Sequence, residues 1–217
     1  HESLGKTYQA MSGEAASTLS QAATANPQLD FLVRTNMDAQ IAADRIRGAV
    51  RASNGVSYPR GSLANQLKLI AKMIRGGLRT RVFYASMGGF DTHSGQRGRH
   101  AQLMGQFSNA INAFQKDLRE SGDDERVMTM VFSEFGRRVG ENASNGTDHG
   151  TAGPMFVIGK HAKGGVHGRH PNFTKLDSGD LRYTIDFRRV YAGVLSGWMQ
   201  ADPSKVIGPQ HQPLAVV

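Results

Sequence analysis

The chain has 217 residues, of which 39% are hydrophobic and 20% charged, a composition typical of a globular protein with a buried core. It has no cysteine, which excludes disulfides, thiolate metal sites and cysteine nucleophiles. With 26 Lys and Arg against 18 Asp and Glu, its formal charge is +8, which favours anionic partners. No apolar run approaches the ~18 residues of a membrane-spanning helix, so we expect no transmembrane segment.

Apolar residues at helical spacing predict four helices along the chain. They cover residues 29–50, 62–75, 100–120 and 187–198. Asp186 or Thr184 is the predicted cap of the last helix. Residues 1–28 are small and polar, and we expect them to be flexible or peripheral.

Three apolar runs predict buried strands, at residues 81–86, 127–132 and 154–158. Helices and strands alternate along the chain, which is typical of an α/β fold. We therefore predict a layered, mostly parallel sheet with helices on both faces, in a single domain over residues 1–217.

Two of the loops that follow predicted strands carry Asp and His together. Asp91 and His93 are two residues apart, a spacing that puts both side chains on one face of an extended segment. Asp148 and His149 lie between glycines, where neighbouring side chains can point the same way. Both pairs are candidate metal ligands, and the alternative is that both are ordinary turn residues. Oxygen and nitrogen donors without sulfur suit Zn, Mn, Mg, Ca or Fe and do not choose among them.

Charged residues also follow the 127–132 run. Glu134 is a candidate metal ligand or proton acceptor, and Arg137 and Arg138 are candidates for bidentate contacts to a phosphate or sulfate. The alternative is an internal pair between Glu134 and one of the arginines that fixes the loop. The sequence shows no serine-hydrolase elbow, phosphate-binding P-loop or dinucleotide-binding glycine motif after a strand.

Six short motifs occur in an order that resembles a known bacterial family. They are Gly88-Gly-Phe-Asp-Thr-His93, Ser133-Glu-Phe-Gly-Arg137, Gly146-Thr-Asp-His-Gly150, Pro154 to Gly159, Lys163-Gly-Gly165 and Asp186-Phe-Arg188. The family is a sulfatase-like domain of unknown function, usually exported through the twin-arginine route, and it looks like a member of the alkaline phosphatase superfamily.

The resemblance implies an alkaline-phosphatase-like fold and several site assignments. His149 becomes the strongest ligand candidate, with Asp91 and His93 as an Asp-and-His pair of one metal site. Phe135 stands where the superfamily usually has a histidine, which leaves Glu134 as the remaining candidate there. The resemblance further implies a periplasmic or otherwise exported protein. It also implies that an N-terminal segment before His1 carries a first strand and the nucleophile. That segment would then be a partner of this chain.

Two main hypotheses follow for function. The first is a metal-dependent hydrolase of phosphate or sulfate esters, acting on an anionic small molecule or a glycan ester, or a degenerate relative of such an enzyme. The second is a non-catalytic exported binding or structural protein that keeps the fold with an incomplete metal site. Nucleic-acid binding is disfavoured, because the arginines are scattered and only 7% of residues are aromatic.

Overall fold

The computed structural model describes residues 27–217, except the side chains of residues 29 and 30. The described residues form five α-helices, one short 3-10 helix and four short strands. The helices are α1 (Pro27–Ala49), α2 (Ser62–Arg75), α3 (Gln96–Ser121), α4 (Phe187–Gly197) and α5 (Ser204–Ile207). The 3-10 helix is Asp124–Arg126, and the strands are β1 (Thr129–Val131), β2 (Gly136–Glu141), β3 (Thr147–Gly150) and β4 (Phe156–Ile158).

The described chain divides into two compact units. The smaller comprises residues 27–53 and 72–79, and the larger comprises residues 54–71 and 80–217. The single domain over residues 1–217 stays a prediction, and the expectation for residues 1–28 lies outside the described residues except at 27 and 28, which begin α1. In the smaller unit, the predicted helix at 29–50 is confirmed.

The predicted layered, mostly parallel sheet with helices on both faces is wrong. The strands of the described residues form two antiparallel pairs, β1 with β4 and β2 with β3. Parallel strands need a crossover connection of about a dozen residues or more, usually a helix. The chain between β1 and β4 instead folds into the β2–β3 hairpin, so β4 returns beside β1 in the opposite direction. The alkaline-phosphatase-like arrangement is therefore not what this chain adopts.

The run at residues 81–86 is not part of a strand. Val82 is 71% exposed and Tyr84 78% exposed, so this run is not buried as the sequence predicted. β-Branched and aromatic residues favour a strand only where their side chains pack against neighbouring strands. Composition alone therefore misassigned this segment.

Helix α3 supplies much of the core of the larger unit. Its buried apolar side chains recur at helical spacing and are Leu103, Ala110, Ala113, Phe114 and Leu118. The helix begins at Gln96 rather than at the predicted His100, after Gly95 in the left-handed region at φ 51°. The sequence hid this first turn because residues 96–100 are polar or glycine and show no apolar period.

A buried carboxylate on α3 holds the preceding loop in place. Asp117 is fully buried, and its Oδ2 accepts hydrogen bonds from Asn54 Nδ2 at 2.7 Å and Tyr58 Oη at 2.9 Å. The Gly55 N–H donates to Oδ1 at 3.3 Å. Because a buried carboxylate is tolerated only when hydrogen-bonded, these contacts fix residues 54–58 against α3.

Candidate metal centre

The Asp91–His93 segment is held in place by the tip of the β2–β3 hairpin. We call residues 90–95 the triad loop and residues 142–146 the hairpin tip. The Gly95 N–H donates to Ser144 O at 3.0 Å, and Asn142 Nδ2 donates to His93 O at 3.0 Å. At the first residue of α3, the Gln96 N–H donates to Asn145 O at 2.9 Å. These bonds use backbone groups of the triad loop and of the helix start that would otherwise need water.

The sequence of the hairpin tip explains its shape. Asn145 has φ 56°, in the left-handed region that asparagine tolerates, and it is followed by Gly146. Asn142 Oδ1 accepts hydrogen bonds from the N–H groups of Ser144 and Gly146, each at 3.0 Å, which closes the turn. Asn-Gly is a strong short-range signal of a hairpin, and it is the signal that sequence reasoning missed here.

Arg137 ties the hairpin to the triad loop from the other side. Its Nη2 donates to Phe90 O at 2.6 Å and contacts Thr92 Oγ1 at 3.4 Å, while its Nη1 donates to Thr147 O. The guanidinium also lies over the Phe135 ring, 5.1 Å from its centroid. Arg137 therefore connects β2, β3 and the triad loop; its predicted role in anion binding stays a prediction.

These contacts bring Asp91, His93 and His149 together, although Asp91 and His149 are 58 residues apart in sequence. Asp91 Oδ1 lies 2.8 Å from His149 Nε2 and 2.9 Å from His93 Nε2. The three donor atoms all lie within 4.8 Å of one another. We call these residues the His–Asp triad, and they could hold a metal ion.

The electrostatics of the triad favour the ligating form of its carboxylate. The hydrogen bond from His149, with a further contribution from the nearby His93, holds the pKa of the Asp91 carboxyl below its usual value. The three side chains are exposed, so an ion and its water ligands would reach them from solvent.

The donor set fits a transition-metal ion or zinc. Two donors that each lie about 2.1 Å from a tetrahedral ion are roughly 3.4 Å apart. The two distances from Asp91 are shorter than this, and the whole donor group spans up to 4.8 Å. To hold one ion, the imidazoles would therefore move away from Asp91 and toward each other. Two imidazoles and one carboxylate suit Zn, Mn and Fe better than Mg and Ca, which take mainly oxygen ligands. Three protein ligands leave further positions for water or substrate.

The other predicted site residues are Asp148, Glu134 and Arg138, and of these only Asp148 contacts a residue of the triad. Asp148 Oδ1 lies 3.6 Å from His93 Nδ1, on the opposite edge of that ring from Asp91. Glu134 is exposed on the connection between β1 and β2 and does not belong to the group of converging donors. Arg138 pairs with Asp180, with Nε and Oδ1 3.1 Å apart. Glu134 as a ligand and Arg138 as an anion-binding residue stay predictions.

Phe135 has a role that the sequence did not reveal. Its ring stacks on the imidazole of His149, with centroids 3.9 Å apart and planes inclined by 16°. The sequence placed Phe135 only as a residue unable to bind metal. In the structure it supports a metal-ligand candidate, because flat stacking restricts rotation of the imidazole.

A family model described as "Protein of unknown function (DUF1501)" matches residues 4–208. The chain belongs to this DUF1501 family. The resemblance to a domain of unknown function is thereby confirmed. We found no match to the chain among curated proteins or among solved structures.

Two further features of this DUF1501 chain bear on its function. Within residues 27–217, no helix has both the length and the apolar character needed to cross a membrane. Two cavities, of about 410 and 400 Å³, lie beside residues 56–59 and residues 158–160. Neither is lined by a residue of the His–Asp triad.

Proposed function

We propose that this protein is a metal-dependent hydrolase of phosphate or sulfate esters that holds its metal through Asp91, His93 and His149. The observation that carries the proposal is the position of Asp91 Oδ1, 2.8 Å from His149 Nε2 and 2.9 Å from His93 Nε2. One possible ligand atom of each residue lies within 4.8 Å of the others. These donors come from the triad loop and from strand β3, which are far apart in sequence and which the hairpin tip and Arg137 bring together.

The chemistry of the proposed site divides between the metal and the chain. A divalent ion bound there would polarise an ester oxygen and lower the pKa of a bound water. Asp91 supplies one negative charge and the histidines supply neutral donors, so an ion held by them keeps net positive charge toward an anionic ester. The formal charge of +8 favours encounter with such a substrate, either a small molecule or a glycan ester.

We further propose that the protein is related to the sulfatase-like proteins, which the order of the six motifs supports. The same resemblance supports the exported location, which is also part of the proposal.

A second candidate is a non-catalytic binding or structural protein with an incomplete metal site. The observation that favours it is the exposure of the triad: Asp91 is 66% and His93 48% exposed at the side chain. Hydrolytic sites usually lie in concave pockets that bury most of a ligand, and the two cavities described above lie elsewhere.

Metal loading followed by hydrolysis assays tests both candidates. The purified chain is stripped with a chelator and titrated with Zn²⁺, Mn²⁺, Mg²⁺, Ca²⁺ and Fe²⁺, and bound metal is measured by mass spectrometry. We expect about one ion per chain, lost in His149→Ala. The control His167→Ala, whose Nε2 lies 2.9 Å from the Lys163 carbonyl oxygen, should keep it. Metal-dependent hydrolysis of nitrophenyl phosphate or sulfate supports the enzyme.

The outcomes separate the candidates. Metal binding without hydrolysis of either ester favours the non-catalytic protein. A strong preference for Fe²⁺ would point to oxidative chemistry, which two histidines and one carboxylate also support. The absence of stoichiometric metal in the wild type would overturn both the metal centre and the hydrolase.

A further inference from the structure

The two ring nitrogens of His93 face two different carboxylates. Nε2 lies 2.9 Å from Asp91 Oδ1, inside the triad, and Nδ1 lies 3.6 Å from Asp148 Oδ1. The two distances differ in kind, because the first is a hydrogen-bond distance and the second is an ion-pair contact. His93 is therefore set between an inner carboxylate and an outer one.

Asp148 cannot easily join Asp91 as a second ligand of the same ion. It stands beside the Nδ1 edge of the His93 ring, whereas the donors that converge are the Nε2 atoms and Asp91 Oδ1. Its place in β3 is directly before His149, and successive side chains of a strand point to opposite faces. Asp148 as a metal ligand beside His149 stays a prediction, and this alternation favours a place for Asp148 outside the ligands.

We infer that Asp148 is a positioning residue, which accepts a hydrogen bond from His93 Nδ1–H when His93 Nε2 binds the metal of the proposed function. A metal-bound imidazole commonly donates its other N–H to a carboxylate, which orients the ring and raises the basicity of the ligating nitrogen. A closing of roughly half an ångström brings the Asp148 oxygen into hydrogen-bond range of Nδ1. The inference rests on the proposed metal centre and assigns Asp148 a place outside its ligands.

The two histidines are thus oriented by different means. His93 is held through Asp148. His149 is held by stacking on the Phe135 ring, with ring centroids 3.9 Å apart, and by its antiparallel pairing with Arg137 of β2. Removing the Asp148 carboxylate should therefore affect His93 and leave the His149 stack in place.

Metal affinity of Asp148 variants tests the inference. Zn²⁺ or Mn²⁺ is titrated calorimetrically into the chelator-stripped chain, its Asp148→Ala and Asp148→Asn variants, and the control Glu141→Gln. Glu141 is an exposed carboxylate of the same hairpin, so its loss matches the change in charge without touching the triad. We expect Asp148→Ala to weaken binding by about 10–100-fold. Asp148→Asn should retain most of the affinity because its amide oxygen still accepts the hydrogen bond, and Glu141→Gln should change little.

A spectroscopic readout separates orientation from ligation. In the zinc-loaded, ¹⁵N-labelled wild type, we expect a His93 Nδ1–H proton resonance that is shifted downfield and protected from solvent exchange. It should persist in Asp148→Asn and disappear in Asp148→Ala. Equal metal affinity in the wild type and Asp148→Ala, with the proton unprotected in both, overturns the inference. If Asp148→Asn loses metal as completely as Asp148→Ala, Asp148 is a ligand and the positioning role is wrong.

These measurements test the role of Asp148 separately from the proposed hydrolase activity. Weaker metal binding in Asp148→Ala together with no ester hydrolysis by the wild type supports the positioning role and contradicts the hydrolase. A wild type that binds no metal overturns both.

Discussion

Gly146 of the hairpin tip packs directly against the backbone of His93. A Cβ placed on Gly146 would lie 2.3 Å from both the carbonyl carbon and the carbonyl oxygen of His93, a contact that no side chain tolerates. The hairpin that carries His149 can therefore approach the triad loop only because this position is glycine.

We expect Gly146→Ala to move His149 away from Asp91 and His93 in the candidate metal centre. The backbone must shift to admit the methyl group, so metal affinity should fall and stability should drop by about 1–3 kcal/mol, the usual effect of overpacking. Gly105→Ala is the matched control, because Gly105 lies within α3 and a Cβ there meets no atom within 4 Å. The control should be neutral or stabilising by up to about 1 kcal/mol. Calorimetric metal titration and urea unfolding measure both; equal behaviour of the two variants would contradict the close approach.

The stack between Phe135 and His149 predicts a role for an aromatic ring at position 135. We expect Phe135→Leu to remove a contact worth about 0.5–1.5 kcal/mol and to weaken metal binding by up to roughly tenfold. Phe135→Tyr keeps the ring and should bind metal as the wild type does. The control Phe173→Leu breaks another Phe–His contact, with His170, outside the triad. An unchanged metal affinity in Phe135→Leu would mean that the stack does not orient His149.

Variants of Arg137 test whether this side chain mainly holds the hairpin to the triad loop or binds an anionic substrate. We expect Arg137→Ala to lower both the free energy of unfolding and the metal affinity, because the Phe90 and Thr147 carbonyl oxygens lose their donor. Arg138→Ala removes an exposed pair with Asp180 and should change stability by less than about 1 kcal/mol. If Arg137→Ala raises KM for an anionic ester while metal affinity is unchanged, Arg137 binds substrate instead.

The buried carboxylate of Asp117 predicts an effect on stability that does not involve the residues of the His–Asp triad. We expect Tyr58→Phe to destabilise the protein by about 1–3 kcal/mol, because the fully buried Asp117 carboxylate loses a hydrogen bond to Oδ2. Tyr84→Phe is the control, since Tyr84 is 78% exposed. The midpoints of denaturant unfolding, measured where the dependence on denaturant has the same slope, compare the stabilities of the two variants. Metal affinity should be the same in both. Equal midpoints for the two variants would show that the bond from Tyr58 contributes nothing.

Asp186 predicts a pH-dependent contribution to stability. It caps α4 by accepting the Arg188 N–H at 2.9 Å. The hydrogen bonds from the Arg188 side chain, followed by the backbone bond, lower the pKa of Asp186 to about 2 from its usual 3.8. A lowered folded-state pKa stabilises the protein above the unfolded value and loses that stabilisation as pH falls toward the folded value. We expect Asp186→Ala to be less stable by about 1 kcal/mol at neutral pH, with the difference shrinking below about pH 4.

Asp186→Asn isolates the charge in that experiment. Its amide oxygen can still cap the helix, so its deficit relative to the wild type should be smaller at neutral pH and should also vanish in acid. Unfolding curves between neutral pH and about pH 2 measure all three proteins. A deficit of Asp186→Ala that stays constant through this range would contradict the lowered pKa.

Local pattern was enough to determine the main helices and the residue types of the candidate metal centre. In α2 and α4, apolar residues recur in consecutive helical turns, so the sequence shows both helices directly. Asp186 was recognisable as a cap because a capping signal spans only a few residues. Asp91, His93 and His149 were candidates from their chemistry and their glycine-rich surroundings alone.

Only the tertiary structure decided how the strands pair and which candidates meet. Apolar composition could not tell that β1 and β4 are antiparallel or that residues 81–86 stay unpaired, because pairing depends on partners distant in sequence. The hairpin tip brings His149 to Asp91 across 58 residues, and it leaves Glu134 outside the converging donors and Asp148 on the far edge of His93. Long-range contacts set these positions, and no single stretch of sequence encodes them.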